Sequence, residues 1–199
     1  MQLFLLILLG YILGSIPFAL VIGKVFYHTD VRNYGSGNLG GTNTGRVLGK
    51  KAGIACIVGD VMKVVAAVGI AAQFDQTASI WAGLAAAIGH CYPIFANFKG
   101  GKAVATMFGF LVSTSIFTFQ NAWYVIVPFL IFIGVLYISK MVSLASMTAA
   151  IASSIYITIM QANMQITLAS WLLTLLIIYR HRSNIIKIKN STESKITWM

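Results

Sequence analysis

Acidic side chains are nearly missing from this sequence. Four Asp and Glu stand against 14 Lys and Arg in 199 residues, and charged residues of all kinds make up only 9%. Soluble domains carry roughly 25%. A chain this poor in charge and 58% hydrophobic reads as an integral membrane protein. The formal charge of +10 does not point to nucleic acid. Such binders cluster their charge on a polar domain, and this chain has no polar domain. Anionic lipids and anionic substrates are the expected partners. Cysteine is scarce as well. Cys56 and Cys91 lie in or near apolar runs and read as small packing residues, not as a disulfide or a metal pair. No His/Cys/carboxylate cluster has ligand spacing, so neither a metal nor a cofactor is expected. The N-terminus has no basic flank, and its apolar run is too long for a signal-peptide core, so it reads as a retained first span.

What is abundant is apolar sequence in lengths that can cross a bilayer, about 20 residues each. Seven stretches qualify: 3–23, 53–72, 78–96, 103–119, 122–139, 142–160 and 164–179. Lys24, Arg32, Arg46, Lys50 and Lys51 flank or occupy the first loop, Lys99 and Lys102 the third, Lys140 the fifth. Arg180, Arg182, Lys187, Lys189 and Lys195 lie in the tail. The second, fourth and sixth loops ("QFDQT", "FQNA", "QANMQ") have no Lys or Arg. The expected fold is therefore an all-α integral membrane protein of seven transmembrane helices. Its N-terminus is outside and its C-terminus cytoplasmic. Residues 1–199 form a single membrane-embedded domain with no soluble part and no repeat.

Three polar segments interrupt the apolar chain, all on the expected cytoplasmic side. The first is "DVRNYGSGNLGGTNTGR", 30–46. Closely spaced glycines let backbone N–H groups converge on an anion, and Ser, Thr and Asn add donors. Arg46 supplies a fixed charge able to grip phosphate bidentately. It is neither a Walker A motif nor a Rossmann fingerprint; composition alone also allows a flexible loop. The second is "GHCYPIFANFKGGKAVAT", 89–106. Lys99 and Lys102 bracket Gly100-Gly101 ahead of an apolar helix, a ready phosphate site, although a tight turn with two interfacial lysines has the same pattern. His90, one turn before Pro93, suits either a helix-end hydrogen bond or a ligand contact. The third is "RHRSNIIKIKNSTESK", 180–195. It could be a basic anchor, but Glu193, its only acid, suggests a specific partner. Asp60 and Lys63 stand one turn apart in the second span and read as an intramembrane pair. Ser143 and Ser146 open the sixth span and could cap or pack. Together the segments describe a site for one or more phosphates at an interface, roofed by helices that could hold an acyl chain.

These three segments resemble the signatures of the bacterial acyl-phosphate:glycerol-3-phosphate acyltransferases, the PlsY family. Their patterns are GSGN-x-GATN-x-x-R, GH-x-x-P-x-F-x-x-FKGGKGVAT and RHR-x-NI…GTE. The resemblance implies acyl transfer from acyl phosphate to the 1-position hydroxyl of glycerol 3-phosphate at the bacterial inner membrane, with the active site toward the cytoplasm. It implies Ser36, Arg46, Lys102, His181 and Asn184 as catalytic residues. Gly37, Asn38, Thr42, Asn43, His90, Lys99, Gly100, Gly101 and Ser143 would bind substrate. Asp60, Lys63 and Glu193 would be structural. Membrane lipids and an upstream acyl-phosphate-forming enzyme are implied partners. No Ser-His-Asp set and no H-x-x-x-x-D pair is present, and an activated mixed anhydride needs neither. What it needs is neutralisation of two phosphates and donors toward the developing oxyanion.

The chain departs from the family pattern at Gly41, an alanine in the family, and at three lost glycines. Ala103 follows Lys102, Ser191 precedes Thr192-Glu193, and Val64 follows Lys63. The lost glycines leave open whether catalytic efficiency is reduced, and a divergent, specialised copy of such an enzyme would carry departures of this kind. The rival reading is a membrane transporter of a small organic phosphate. That would place its basic residues near the midplane in broken helices, with repeat symmetry; here they cluster at one face.

Overall fold

A computed structural model of the chain describes residues 1–160 and 163–196. Gln161 and Ala162 of the sixth loop and the last three residues fall outside them. Ten α-helices are found among the described residues. They are α1 (Gln2–Gly14), α2 (Phe18–Tyr27), α3 (Gly41–Leu48), α4 (Lys50–Ala72), α5 (Gln76–Cys91), α6 (Val104–Thr114), α7 (Trp123–Ser139), α8 (Val142–Met160), α9 (Met164–Arg180) and α10 (Arg182–Lys189). Four helical units are long and apolar enough to cross a membrane: Gln2–Tyr27, Lys50–Ala72, Gln76–Ala96 and Val142–Met160. Val104–Phe119, Trp123–Ser139 and Met164–Arg180 are shorter apolar helices. The chain is an all-α multi-pass membrane protein.

Two features of the sequence shape this bundle. Pro17 cannot continue a helix, having no N–H and disfavouring helical geometry at the residue before it. The first apolar run accordingly breaks between α1 and α2. Ser15 Oγ donates to Tyr11 O at 2.8 Å, and the freed carbonyl of Ile16 accepts from Lys63 Nζ at 2.8 Å. Small residues then let helices approach closely, as membrane helices require. Gly10 and Gly14 of α1 lie on the backbone of Ala82 and Ala86 of α5, where any Cβ would collide. Gly53 of α4 lies against Gly45 of α3, where a Cβ on Gly53 would collide. The main core runs through α4, α5, α6, α8 and α9, with Val68, Phe110, Leu111, Ile157, Ile166 and Ile177 fully buried.

Polar side chains cap the starts of α5 and α9, in loops that carry no Lys or Arg. Asp75 accepts from Ala78 N–H at 2.9 Å, and Asn163 from Gln165 N–H at 3.0 Å. At the other end the loops around 92–103 and 140–141 meet the tail, and Leu39 of the first polar segment lies against Gly101. Ile196 N–H donates to Lys140 O at 2.8 Å, which folds the tail back over the α7–α8 turn.

Candidate functional site

The first polar segment is ordered by one buried side chain. Asn43 Oδ1 accepts from Ser36 N–H at 2.8 Å, and its Nδ2 donates to Val31 O at 3.0 Å and Tyr34 O at 3.3 Å. Asn43 is 1% exposed and has spent its amide on the loop. Gly35 and Gly37, at φ +61° and +67°, turn the chain on either side of Ser36 in the left-handed region that only glycine enters freely. A Cβ on Gly35 would strike Asn43 Oδ1. Ser36, Thr42 and Arg46 are exposed, with Gly37 and Asn38 half-buried. The Ser36 hydroxyl and the Arg46 guanidinium have no hydrogen-bonding partner among the described residues. Asp30, by contrast, is fully engaged: Arg32 Nη2 reaches its Oδ2 at 2.6 Å, and Lys24 lies at 3.7 Å. The Arg32 guanidinium holds the Asp30 carboxyl down at about 2.

The second and third segments meet at Lys102. Its Nζ donates to Asn184 Oδ1 at 2.6 Å. Asn184 Nδ2 donates to Glu193 Oε1 at 2.7 Å, and the same oxygen accepts from Ser143 Oγ at 2.6 Å. Ser143 therefore joins the cluster through Glu193, while Ser146 turns back onto Val142 O. Burial lowers the Lys102 pKa; Glu193 opposes this, and Lys187, Arg180 and Arg46 add to it. Arg46 of the first segment is thus an electrostatic neighbour of Lys102 in the second. His181 is 3% exposed and its Nδ1 lies 2.8 Å from Ile177 O. Burial pushes its pKa down to about 4. The ring is neutral near pH 7. A carbonyl can only accept, so the proton sits on Nδ1 and Nε2 is an acceptor.

The glycine pair lies buried, and Lys99 beside it is exposed. Gly100 N–H donates to Cys91 O at 3.1 Å and Gly101 N–H to His90 O at 3.0 Å. Both amides are engaged within the protein. His90 is also drawn inward. Its Nδ1 lies 3.1 Å from Lys63 Nζ and 3.3 Å from Asp60 Oδ1. Asp60 and Lys63 pair at 2.7 Å with side chains 2% and 1% exposed. The pair expected one turn apart is present, and His90 completes it as a cluster of three. Cys56 and Cys91 are free and buried, and the Cys56 thiol contacts Asp60 Oδ2 at 3.6 Å. Of the departures from the family pattern, Ala103 and Ser191 adopt φ +61° and +56°. Val64 is fully buried against Gly109.

The sequence pattern did not single out Arg180. Its Nε donates to Gly101 O and its Nη2 to Gly100 O, both at 3.0 Å, and it lies 5.1 Å above the Tyr92 ring. No side-chain pattern signals a guanidinium whose partners are backbone carbonyls.

All four acids are thereby accounted for. Asp30 is paired with Arg32, Asp60 with Lys63, Asp75 caps α5, and Glu193 holds Ser143 and Asn184. What remains unengaged at this end is donor and positive charge. Fold and site define a multi-pass membrane protein with a cluster of donors and positive charge at one end of its bundle.

Comparison with known proteins narrows the class. Residues 4–191 match the family described as glycerol-3-phosphate acyltransferase. The glycerol-3-phosphate acyltransferase of Geobacillus kaustophilus (strain HTA426) is 45% identical over 98% of this chain and 96% of its own. That of Macrococcus caseolyticus (strain JCSC5402) is 46% identical over 98% of each. The crystal structure of PlsY (YgiH), an integral membrane glycerol 3-phosphate acyltransferase, in its glycerol 3-phosphate form superposes with a TM-score of 0.91. It is 34% identical, over 99% of this chain and 96% of that one. The lysophosphatidic acid form gives 0.88 at 33% identity. The chain belongs to the glycerol-3-phosphate acyltransferase family.

Proposed function

We infer that this chain transfers an acyl group from acyl phosphate to the 1-hydroxyl of glycerol 3-phosphate, yielding lysophosphatidic acid and phosphate. The observation that carries the reading is the convergence on Lys102 of three donor-rich segments in a chain that matches the family over nearly its whole length. In the reaction the glycerol oxygen attacks the acyl carbonyl carbon. A C–O ester bond forms, and the bond between that carbon and the phosphate oxygen breaks. The hydroxyl proton passes to an oxygen of the departing phosphate. Support for that acceptor comes from the acids, since each is committed elsewhere.

Ser36 and Arg46, exposed and unengaged, would take the phosphate of the donor. Gly37, Asn38 and Thr42 would add donors, and Asn43 would hold that loop in shape. Lys102 and the exposed Lys99 would take glycerol 3-phosphate, with Gly100 and Gly101 setting the turn between them. The Nε2 of His181 is suited to accept from a glycerol hydroxyl. Asn184, Ser143 and Glu193 would keep Lys102 in place, and His90 would act from beneath the turn. Fixed positive charge of this kind favours the transition state because it is in place before charge develops.

Seven spans with the N-terminus outside put this cluster at the cytoplasmic face of the bacterial inner membrane, within one domain covering residues 1–199. An acyl phosphate is a reactive anhydride, so an enzyme that forms it upstream is the expected supplier. The test is an acyl transfer assay on purified protein, offering acyl phosphate and acyl-CoA separately, with and without chelator. Transfer from acyl phosphate alone, unaffected by chelator, is expected. Transfer from acyl-CoA, or activity that returns only with Mg²⁺, would contradict the reading.

A further inference from the structure

The Gly100-Gly101 turn is locked on each of its sides. Its amides are bound to His90 O and Cys91 O at the end of α5. Its carbonyls are bridged by Arg180, two contacts of 3.0 Å from one planar guanidinium. The Cα of Gly101 lies against the His90 ring, where a Cβ would overlap Nε2 and Cε1.

The His90 ring is itself fixed from below. Lys63 has three N–H donors and three neighbours to receive them: Asp60 Oδ1 at 2.7 Å, Ile16 O at 2.8 Å and His90 Nδ1 at 3.1 Å. The Nε2 edge of the ring faces Gly101. The broken first helix, the α4 ion pair and the α5 terminus thus converge under one turn.

A glycine nest binds an anion through free N–H groups, and here both amides are occupied. What the turn offers an anion is the next residue, Lys102. The direction of that side chain depends on the two peptides before it. We propose that Arg180 is a positioning residue for glycerol 3-phosphate binding: bridging the carbonyls of Gly100 and Gly101, it fixes the turn that aims Lys102 at the substrate phosphate. The Asp60–Lys63–His90 cluster is the floor on which the clamped turn rests. The bridge needs two donors in one plane, which lysine does not have. A basic residue that merely anchored α9 at the interface would need only its charge.

This inference rests on the reaction proposed above, and its test separates the two. Arg180→Lys and Arg180→Ala are purified and their kinetics measured with each substrate varied. Thermal unfolding is followed with and without glycerol 3-phosphate. Both variants should raise the glycerol 3-phosphate KM about tenfold or more, equivalent to about 1.4 kcal/mol. The acyl phosphate KM should stay within about twofold of wild type. Millimolar guanidinium should restore part of the glycerol 3-phosphate affinity of Arg180→Ala. A wild-type glycerol 3-phosphate KM in Arg180→Lys overturns the proposal. Equal rises in both KM values, or a folded Arg180→Ala that guanidinium does not rescue, do so too. If Arg180→Ala does not fold, Arg180→Lys carries the test. A wild-type protein that is stabilised by glycerol 3-phosphate but transfers no acyl group would sink the reaction alone. The variants are then judged by the loss of that stabilisation.

Discussion

Lys102 and Asn184, 82 positions apart in the chain, share a 2.6 Å hydrogen bond that joins the second polar segment to the third. The asparagine amide can point its oxygen at Lys102 because its nitrogen is committed to Glu193 Oε1. Glu193 therefore sets the orientation of Asn184, and Asn184 holds Lys102. Truncating Glu193 to Ala leaves the buried Ser143 hydroxyl without an acceptor, at about 1–3 kcal/mol, and also removes the acceptor of the half-buried Asn184 amide. Glu193→Gln keeps an acceptor oxygen in place. Glu193→Ala is expected to unfold several degrees lower than wild type, with Glu193→Gln between the two. Thermal unfolding in detergent measures this, and equal midpoints for both variants would contradict the orienting role.

Arg46 and Ser36 test the first segment. Both are exposed, and neither side chain is engaged with another described residue. Arg46→Lys should lose at least about tenfold in kcat/KM although charge is retained, because a point charge does not replace a planar fork. Ser36→Ala should lose most activity through a missing donor. Neither change should lower Tm by more than a degree or two, since no internal contact is removed. A fully active Arg46→Lys enzyme would reduce Arg46 to a topology signal.

The helices were legible wherever the apolar run was long and uninterrupted. The stretches 122–139 and 142–160 match α7 and α8 to within one residue. The first run continues through Pro17 in hydrophobicity, so the break is carried by one backbone constraint and not by the pattern. α3 could not be read from "GTNTGRVL", whose residues favour helix weakly. It is held by close packing of Gly45 on Gly53, a contact between segments. The polar segments stood out because donors are rare in this chain. Asp60 and Lys63 declared themselves by i,i+3 spacing. Their third partner, His90, sits on another helix, and only the fold brings it in. Arg180 looked like any flanking basic residue, since its role is written in backbone carbonyls.

His181 makes stability depend on pH in a definite direction. Burial takes its pKa from the ordinary 6.5 down to about 4 in the folded protein. The unfolded chain therefore binds the proton more readily. The contribution is fully present above about pH 6.5 and is lost as pH falls toward 4, on the order of 3 kcal/mol at the limit. Between pH 7 and pH 4.5 the wild type should lose more thermal stability than His181→Gln, which cannot titrate. Parallel pH curves for the two proteins would show that the folded ring protonates normally.

The expected topology follows from the alternation of loops with and without Lys or Arg. Reporter fusions at Gln76, Gln120 and Asn163 should read external. Those at Lys50, Lys140 and Thr197, the last outside the described residues, should read cytoplasmic. The Lys102–Asn184 and Ser143–Glu193 contacts require the third loop, the fifth loop and the tail to share one side. A cytoplasmic reading at Gln120 would break the seven-span assignment.

Ala103 carries the most direct test of how this chain differs from the family pattern. It is the N-cap of α6, adjoins Lys102, and sits at φ +61°, ψ +15° with its methyl fully buried. A helical Ala103 would have made glycine a loss of about 1 kcal/mol. In the left-handed region the sign reverses, because a non-glycine residue there costs roughly 1–2 kcal/mol. Two terms oppose the gain from Ala103→Gly: about 0.8 kcal/mol for the buried methyl, and the greater freedom of glycine in the unfolded chain. Global stability should therefore change by less than about 1 kcal/mol. The effect on substrate is separate. Relief of strain next to Lys102 lets the turn settle against the phosphate, and removal of the methyl lets backbone come closer. The glycerol 3-phosphate KM should fall several-fold, with the acyl phosphate KM nearly unchanged. Ser191, at φ +56° in the tail, is exposed and distant in sequence from Lys102. Ser191→Gly should raise Tm slightly and leave both KM values alone. Steady-state kinetics of the two variants decide the matter: an unchanged or raised glycerol 3-phosphate KM in Ala103→Gly would mean that the strained turn already presents Lys102 as well as glycine could.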